Sequence, residues 1–328
     1  MPSNNPCTPR RFDFICYNHL EMLRKLYWTL TNYCNLGCRY CYYNTGLAKR
    51  DFRLNHYRDY QKIIPQFKEH FDEIIFTGGE ALLNEDLFKI AADCRRQGLK
   101  ISLLTNGVLL NKSMISKIID CGFTTVSVSL DSLDQQINDH QRGQGALVLS
   151  NLKQLIRQRH PNLTIEIMQT ITRQNLSELL PMFHFCQKNN LIHWVDPVEI
   201  NPKIKPIQKM ALEKLSQSEQ KQLAQAMLVW AGSSKDLVDY TQAVMQLIKL
   251  QKPTNLFCPM GTSHFVLDVD GSIYPCFMRR DVCLGNLLEQ PLTQIIQNKA
   301  YQKQTQPKLQ KASCVSLGCV NMTMVNKI

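Results

Sequence analysis

From Lys25 to about Asn201 the sequence alternates short apolar β-type runs with helix-length amphipathic segments, a pattern that commits the chain to βα units around a parallel sheet. The predicted strands are Leu26–Leu30, Glu73–Phe76, Lys100–Leu104, Thr125–Leu130, Leu163–Gln169 and Leu191–Val198, six in all. Helix ends are legible between them. Asn84 reads as an N-cap, with Glu85 and Asp86 in the first turn and Gly98 as the terminator. Asn111 and Gly122 bracket the next helix, whose buried face is Ile115, Ile118 and Ile119. Right-handed crossovers wind such units into a barrel, here a partial (β/α)6 TIM-like barrel of the α/β class.

Directly after the first strand comes Cys34-Asn35-Leu36-Gly37-Cys38-Arg39-Tyr40-Cys41, a C-x3-C-x2-C spacing on a loop that bends at Gly37. Three thiolates this close can face one point, and soft thiolates suit an iron–sulfur cluster or zinc. Structural zinc wants a fourth ligand nearby; His56 is the nearest downstream histidine, and no fourth cysteine is adjacent. Three ligands to a cubane leave one iron open to a small molecule. The chain has 13 cysteines, and without a secretory signal at Met1–Arg11 they are expected to be metal ligands or free thiols in a reducing cytoplasm.

With Tyr40 as the aromatic, this loop resembles the radical S-adenosylmethionine (SAM) superfamily, whose signature is C-x3-C-x-aromatic-C. Further features follow in order at the C-terminal ends of predicted strands, where barrel active sites sit. Thr77-Gly78-Gly79-Glu80 is similar to the family's glycine-glycine-glutamate motif, Thr105-Asn106-Gly107 follows the third strand, and Ser129 and Asp131 end the fourth. The resemblance implies that Cys34, Cys38 and Cys41 hold a [4Fe-4S] cluster. It implies that Gly78, Gly79 and Glu80 meet the SAM amino group, and that Thr105, Asn106, Ser129 and Asp131 serve its ribose and methionine moieties. Arg142 matches an arginine that in relatives approaches the SAM carboxylate. The resemblance spans about residues 26–200.

Past a Gln- and Lys-rich helical connector carrying Leu212, Leu215, Leu223, Met227, Val244, Leu247 and Ile248, the texture changes. Phe265–Val269, Asp270-Gly271 and Ser272–Tyr274 read as a β-hairpin, since Asp-Gly readily supplies positive φ. Cys258 precedes it and Cys276 follows it, a C-x12-G-x4-C spacing that resembles the opening of the SPASM or twitch extension. That likeness implies a small C-terminal α+β domain with one auxiliary [4Fe-4S] cluster on Cys258, Cys276, Cys314 and Cys319. Cys283 competes as a ligand or free thiol and reads best as a buried structural thiol. Cys94, at helical spacing with Leu87 and Ala91, is expected in the core. The expected organisation is an N-terminal extension (1–25), a core barrel (26–200), a helical connector (201–257) and the auxiliary cluster domain (258–328).

Apolar residues make up 44% and charged residues 20%, which excludes a disordered chain, and no run of about 18 apolar residues offers a membrane span. The formal net charge of +11 favours anionic partners, but Lys and Arg form no dense run, so a nucleic-acid partner is not expected. The resemblance implies an oxidoreductase that cleaves SAM reductively to a 5′-deoxyadenosyl radical and removes hydrogen from substrate. Its electrons come from a reducing partner such as flavodoxin or ferredoxin. The expected substrate is a ribosomally made peptide, oxidised or cross-linked. A small metabolite such as an aminosugar or nucleotide is the alternative, and a non-catalytic iron–sulfur or zinc protein is the competing class. His193, Asp196 and Glu199, near the end of the last strand, could face substrate, although His193 could equally pack in the core and Asp196-Pro197 signals a turn.

Overall fold

A computed structural model describes residues 24–41, 43, 55–198, 210–250, 260–277, 279–299 and 301. Its elements run β1 (Lys25–Thr29), α1 (Tyr57–Tyr60), β2 (Glu73–Thr77), α2 (Leu87–Arg96), β3 (Lys100–Thr105), α3 (Lys112–Cys121), β4 (Thr125–Ser129), α4 (Gln135–Gln141) and α5 (Gly145–Arg157). They continue with β5 (Thr164–Ile171), α6 (Leu179–Lys188), β6 (Ile192–Pro197), α7 (Gln217–Ala231), α8 (Lys235–Leu250), β7 (His264–Leu267), β8 (Ser272–Tyr274), β9 (Gly285–Asn286) and α9 (Leu292–Gln297). No described helix is long and apolar enough to cross a membrane.

The six predicted strands form, each within about two residues of its expected ends. They pair in parallel in the order β6-β5-β4-β3-β2-β1, an open, barrel-like sheet. Period-two alternation sorts their side chains. Trp28, Phe76, Leu103, Val128 and Ile167 enter the core beneath the helices. Their neighbours in sequence, among them Tyr27, Ser102, Ser127 and Glu166, take the opposite face and line the lumen.

Helix ends follow local chemistry. Asn111 caps α3 by accepting from the Met114 amide at 2.9 Å, and Gly122 closes it in the left-handed region. Ser216 and Glu219 form a reciprocal capping box on α7. The expectation for Asn84 is corrected: Asp86 holds the N-cap position of α2. Asn84 is buried instead, donating to the carbonyls of Leu30 and Asn55 at 3.0 and 2.9 Å while its own carbonyl accepts from the Asp86 amide. A short polar side chain that can bond backbone in three directions serves a chain crossing better than a cap.

The predicted hairpin is present, with Val266 opposite Tyr274 and Leu267 opposite Ile273, and Gly271 has the positive φ of 84° that its turn requires. Its position is a new finding. β7 pairs in parallel with β1, so the hairpin extends the barrel sheet at the β1 edge rather than forming a sheet of its own. Phe265, Leu267, Ile273, Leu284 and Ile295 belong to the same core as Trp28 and Phe76.

A buried polar link crosses this junction. Trp28 Nε1 donates to Asn55 Oδ1 at 2.6 Å, and Asn55 Nδ2 donates to the Val269 carbonyl at 2.6 Å. Trp28 is itself fully buried, against the rings of Tyr60, Phe67 and Phe76. Asn55→Ala strands one donor and one acceptor in the interior, so the unfolding free energy from denaturant titration should fall by about 2–5 kcal/mol. A loss under about 1 kcal/mol would mean that water replaces the link at no cost.

Candidate active site

The cysteine loop lies across the C-terminal ends of the strands because the β2 turn lets it come close. The Gly79 amide donates to the Thr31 carbonyl at 2.7 Å and the Glu80 amide to the Tyr33 carbonyl at 2.9 Å. A Cβ on Gly78, whose φ is +148°, would overlap the Thr31 carbonyl, and one on Gly79 would overlap that of Tyr33. The two glycines therefore serve first as the seat of the loop.

Glu80 is 1% exposed and holds the Cys34 side. Its Oε1 accepts from the Leu82 amide at 3.1 Å and the Thr105 hydroxyl at 2.8 Å, and its Oε2 from the Asn106 amide at 2.7 Å. Asn106 Nδ2 in turn donates to Asn35 Oδ1 at 2.7 Å and reaches Cys34 Sγ at 3.6 Å. Burial raises the Glu80 carboxyl above its ordinary range, partly countered by these donors.

Asp131, fully buried, holds the other half. Its Oδ1 accepts from the Thr170 amide at 3.0 Å; its Oδ2 takes the Tyr40 hydroxyl at 2.5 Å and lies 2.9 Å from Arg142 Nε. The guanidinium sits 5.3 Å from the centre of the Tyr40 ring. The Arg39 amide donates to the Gln141 carbonyl at 3.0 Å, and the Cys38 thiol lies 4.0 Å from the Arg142 carbonyl. Burial pushes the Cys38 thiol up to about 11, against the lowering effect of Arg142. Burial also holds the Tyr40 phenol well above its ordinary range, which makes it the donor to Asp131.

Cys34, Cys38 and Cys41 stand on one loop, and soft thiolates of this kind suit an iron–sulfur cluster. Gln141 supports a bound group here. It shares the buried face of α4 with Asn138, which accepts the Asp131 amide at 3.1 Å. Gln141 is 1% exposed, yet its side-chain oxygen and nitrogen both lack a partner. The sequence reading overlooked Gln141, since a lone glutamine in a helix carries no motif.

The structure thus brings together Cys34, Cys38, Cys41, Tyr40, Gly78, Gly79, Glu80, Thr105, Asn106, Asp131 and Arg142, with Ser129 ending β4 on the lumen face. His193 is not among them. It packs outward between Phe183 and Trp230, bonded to Gln169 Oε1 at 2.9 Å, and burial lowers it to about 3, so it stays neutral. Asp196 stands three residues on, an odd number, and so takes the lumen side. Cys94 is buried as expected, whereas Cys283 is exposed rather than a buried structural thiol. Cys276 is described, with its neighbour Phe277 edge-on to Tyr27 at 5.6 Å; Cys258, Cys314, Cys319 and Glu199 lie outside the described residues.

Below the cysteine loop the lumen face carries a bonded polar set beside Tyr27, Ile75, Met168 and Trp194. Lys25 Nζ lies 3.2 Å from Glu73 Oε2, Ser102 donates to Glu73 Oε1 at 2.5 Å, and Ser127 donates to Glu166 Oε2 at 2.5 Å. Burial raises Glu166 above its ordinary range, against the hydrogen bonds from Ser127 and Trp194.

Comparison with known proteins adds to this geometry. Residues 28–186 match the Radical SAM superfamily profile, and residues 258–319 match the SPASM profile, described as an iron–sulfur cluster-binding domain. An AdoMet-dependent heme synthase of Methanosarcina barkeri is 23% identical over 313 residues, which are 89% of this chain and 87% of that protein. Fe-coproporphyrin III synthase of the same organism is 27% identical over 164 residues, half of this chain and 41% of that protein's length. Among solved structures, Streptococcus suis SuiB bound to S-adenosylmethionine shares the fold with a TM-score of 0.66 at 18% identity, over 86% of this chain and 68% of SuiB. SuiB bound to its precursor peptide SuiA gives 0.64 at 17%, over 86% of this chain and 66% of SuiB.

Replacing Cys34, Cys38 and Cys41 together with Ala should remove about four irons per chain from anaerobically reconstituted protein. Unchanged iron content would place the cluster elsewhere. Glu80→Gln turns an amide N–H toward at least one of three buried donors, and should lower the unfolding free energy by about 1–3 kcal/mol.

Proposed function

Because the chain belongs to the radical SAM superfamily and carries a SPASM iron–sulfur cluster-binding segment, we propose that it is an oxidoreductase that abstracts hydrogen from a ribosomally made peptide, oxidising or cross-linking it. The observation that carries this reading is the placement of three thiols in one loop over a lumen that carries hydroxyls and carboxylates. The cluster and SAM, when bound, supply one-electron cleavage of a carbon–sulfur bond and a hydrogen-abstracting 5′-deoxyadenosyl group.

This chain's residues supply the rest. Cys34, Cys38 and Cys41 hold the cluster, and Gly78–Glu80, Thr105, Asn106 and Ser129 form the wall against which SAM lies. Cys276, with Cys258, Cys314 and Cys319, holds the auxiliary cluster; Phe277 packing on lumen-facing Tyr27 turns that end of the hairpin toward the lumen. The four sequence segments, with boundaries near 25, 200 and 257, divide these tasks.

The wall supports a substrate of peptide character. Glu73, Glu166 and Asp196 face the lumen, and Lys25 is already paired with Glu73. A polyanion would meet like charge there, whereas amides, hydroxyls and ammonium groups meet acceptors. Outside, the net charge of +11 suits an acidic leader segment and an acidic electron donor such as flavodoxin or ferredoxin. The shared fold with peptide-bound SuiB is consistent with this reading. Free thiols in this number suit the cytoplasm. A small-metabolite substrate is the second reading, favoured by the match to 87% of the heme synthase's length.

Anaerobically reconstituted enzyme, given SAM, reductant and peptides encoded beside its gene, should form 5′-deoxyadenosine and leave one peptide lighter by two hydrogens in mass spectrometry. Turnover of SAM with every peptide unchanged favours the metabolite. No turnover under reducing conditions overturns the enzymatic reading.

A further inference from the structure

Every polar atom of Asp131 that can bond is occupied by protein. Its amide donates to Asn138 Oδ1 at 3.1 Å, and its carbonyl accepts from Gln169 Nε2 at 2.9 Å and Asn175 Nδ2 at 3.0 Å. Its carboxylate receives the Thr170 amide, the Tyr40 hydroxyl and the Arg142 guanidinium, with no solvent exposure. A carboxylate so placed has given its hydrogen bonding to the scaffold, and burying it is tolerable because a fixed cation sits against it.

The groups it grips are not arbitrary. Tyr40 lies between Cys38 and Cys41 in the chain, and Arg142 carries the carbonyl that the Cys38 thiol approaches. Arg142 also reaches the Thr170 hydroxyl at 3.3 Å, so the ends of β4 and β5 and the turn after α4 are tied to one half of the cysteine loop. The other half is tied through Glu80 and Asn106, as described above.

We infer that Asp131 is a positioning residue rather than a SAM ligand: by gripping the Tyr40 hydroxyl and Arg142 it holds the Arg39–Cys41 half of the loop in the geometry that the cluster needs. The inference rests on Cys34, Cys38 and Cys41 being the cluster ligands. Tyr40 and Arg142 act through the same clamp. The guanidinium serves it by neutralising Asp131 and covering the Tyr40 ring, which fixes the ring plane as well as the hydroxyl.

The test uses reconstituted holoprotein and the rate at which a ferrous chelator removes iron, counting only the phase absent from the triple Cys→Ala variant. Asp131→Asn and Tyr40→Phe should each speed that phase about tenfold, the scale of one charge-assisted hydrogen bond. The double variant should be no faster than the faster single one, because both changes open the same clamp. SAM affinity should change by less than about threefold, and in Tyr40→Phe, which leaves the Asp131–Arg142 pair intact, the melting temperature of the iron-free protein should stay within about 2 °C. Tyr40→Phe, which removes a single oxygen, carries the test if Asp131→Asn does not fold. Unchanged iron release with SAM affinity down about tenfold makes Asp131 a cofactor ligand and overturns the inference. So does faster release in Tyr40→Phe that tracks a lower melting temperature, which is a general loss of stability. A triple variant that releases iron like the parent removes the cluster assignment itself, and is thereby told apart from failure of the clamp.

Discussion

The approach of two backbones at Gly78 and Gly79 is the constraint from which the site is built. Thr31 and Tyr33 offer carbonyls to the amides of Gly79 and Glu80, and those bonds form because no side chain intervenes. The cysteine loop is not part of a regular element, so its position is fixed by these bonds to its neighbours. Once the loop is seated, Glu80 follows one residue on, with its carboxylate already aimed at the Asn106 amide. Chain geometry thus couples the turn after β2 to the turn after β3 and, through Asn106, to Cys34.

Two buried carboxylates complete the arrangement by different means. Among the described residues no cation pairs with Glu80, which is balanced by three hydrogen-bond donors; Asp131 has an arginine and a phenol. In a region of low dielectric, leaving either acid unpaired costs more than its pairing gains, so each fixes its neighbours strongly while adding little net stability. The division also spreads charge: the Asp131–Arg142 pair is neutral as a unit beside Cys38. The Asp131–Arg142 pair therefore adds little net repulsion beside Cys38, whereas the Glu80 charge opposes the Cys34 thiolate.

Much of this was legible in the sequence because the signals are local. Six strands, the Asn111 cap and the Asp270-Gly271 hairpin each depend on a few adjacent residues. The cysteine loop and the residues at the strand ends were legible as an ordered set. Other features depended on three-dimensional neighbours. Nothing in His264–Leu267 says that it pairs with Lys25–Trp28, more than 200 residues earlier. Asn84 carries a cap's chemistry but bonds a distant carbonyl, and His193 differs from Asp196 only in strand parity, which a one-residue shift would reverse. Asp131 was found for its place at a strand end, yet the partners that define it come from four separate segments.

Strand parity also explains why the lumen can be functional at all. Strands of a parallel sheet covered on both faces read as continuous apolar runs. Here β4 is Thr-Val-Ser-Val-Ser and β5 opens Thr-Ile-Glu-Ile, with every second residue buried under the helices and its neighbours polar. A closed barrel would pack that inner face with aliphatic side chains and leave no volume. Here the inner face carries polar groups instead, and the buried serines Ser102 and Ser127 keep Glu73 and Glu166 bonded. The alternation that makes the sequence read as half-exposed strand is therefore the same property that places bonded polar groups beneath the cysteine loop.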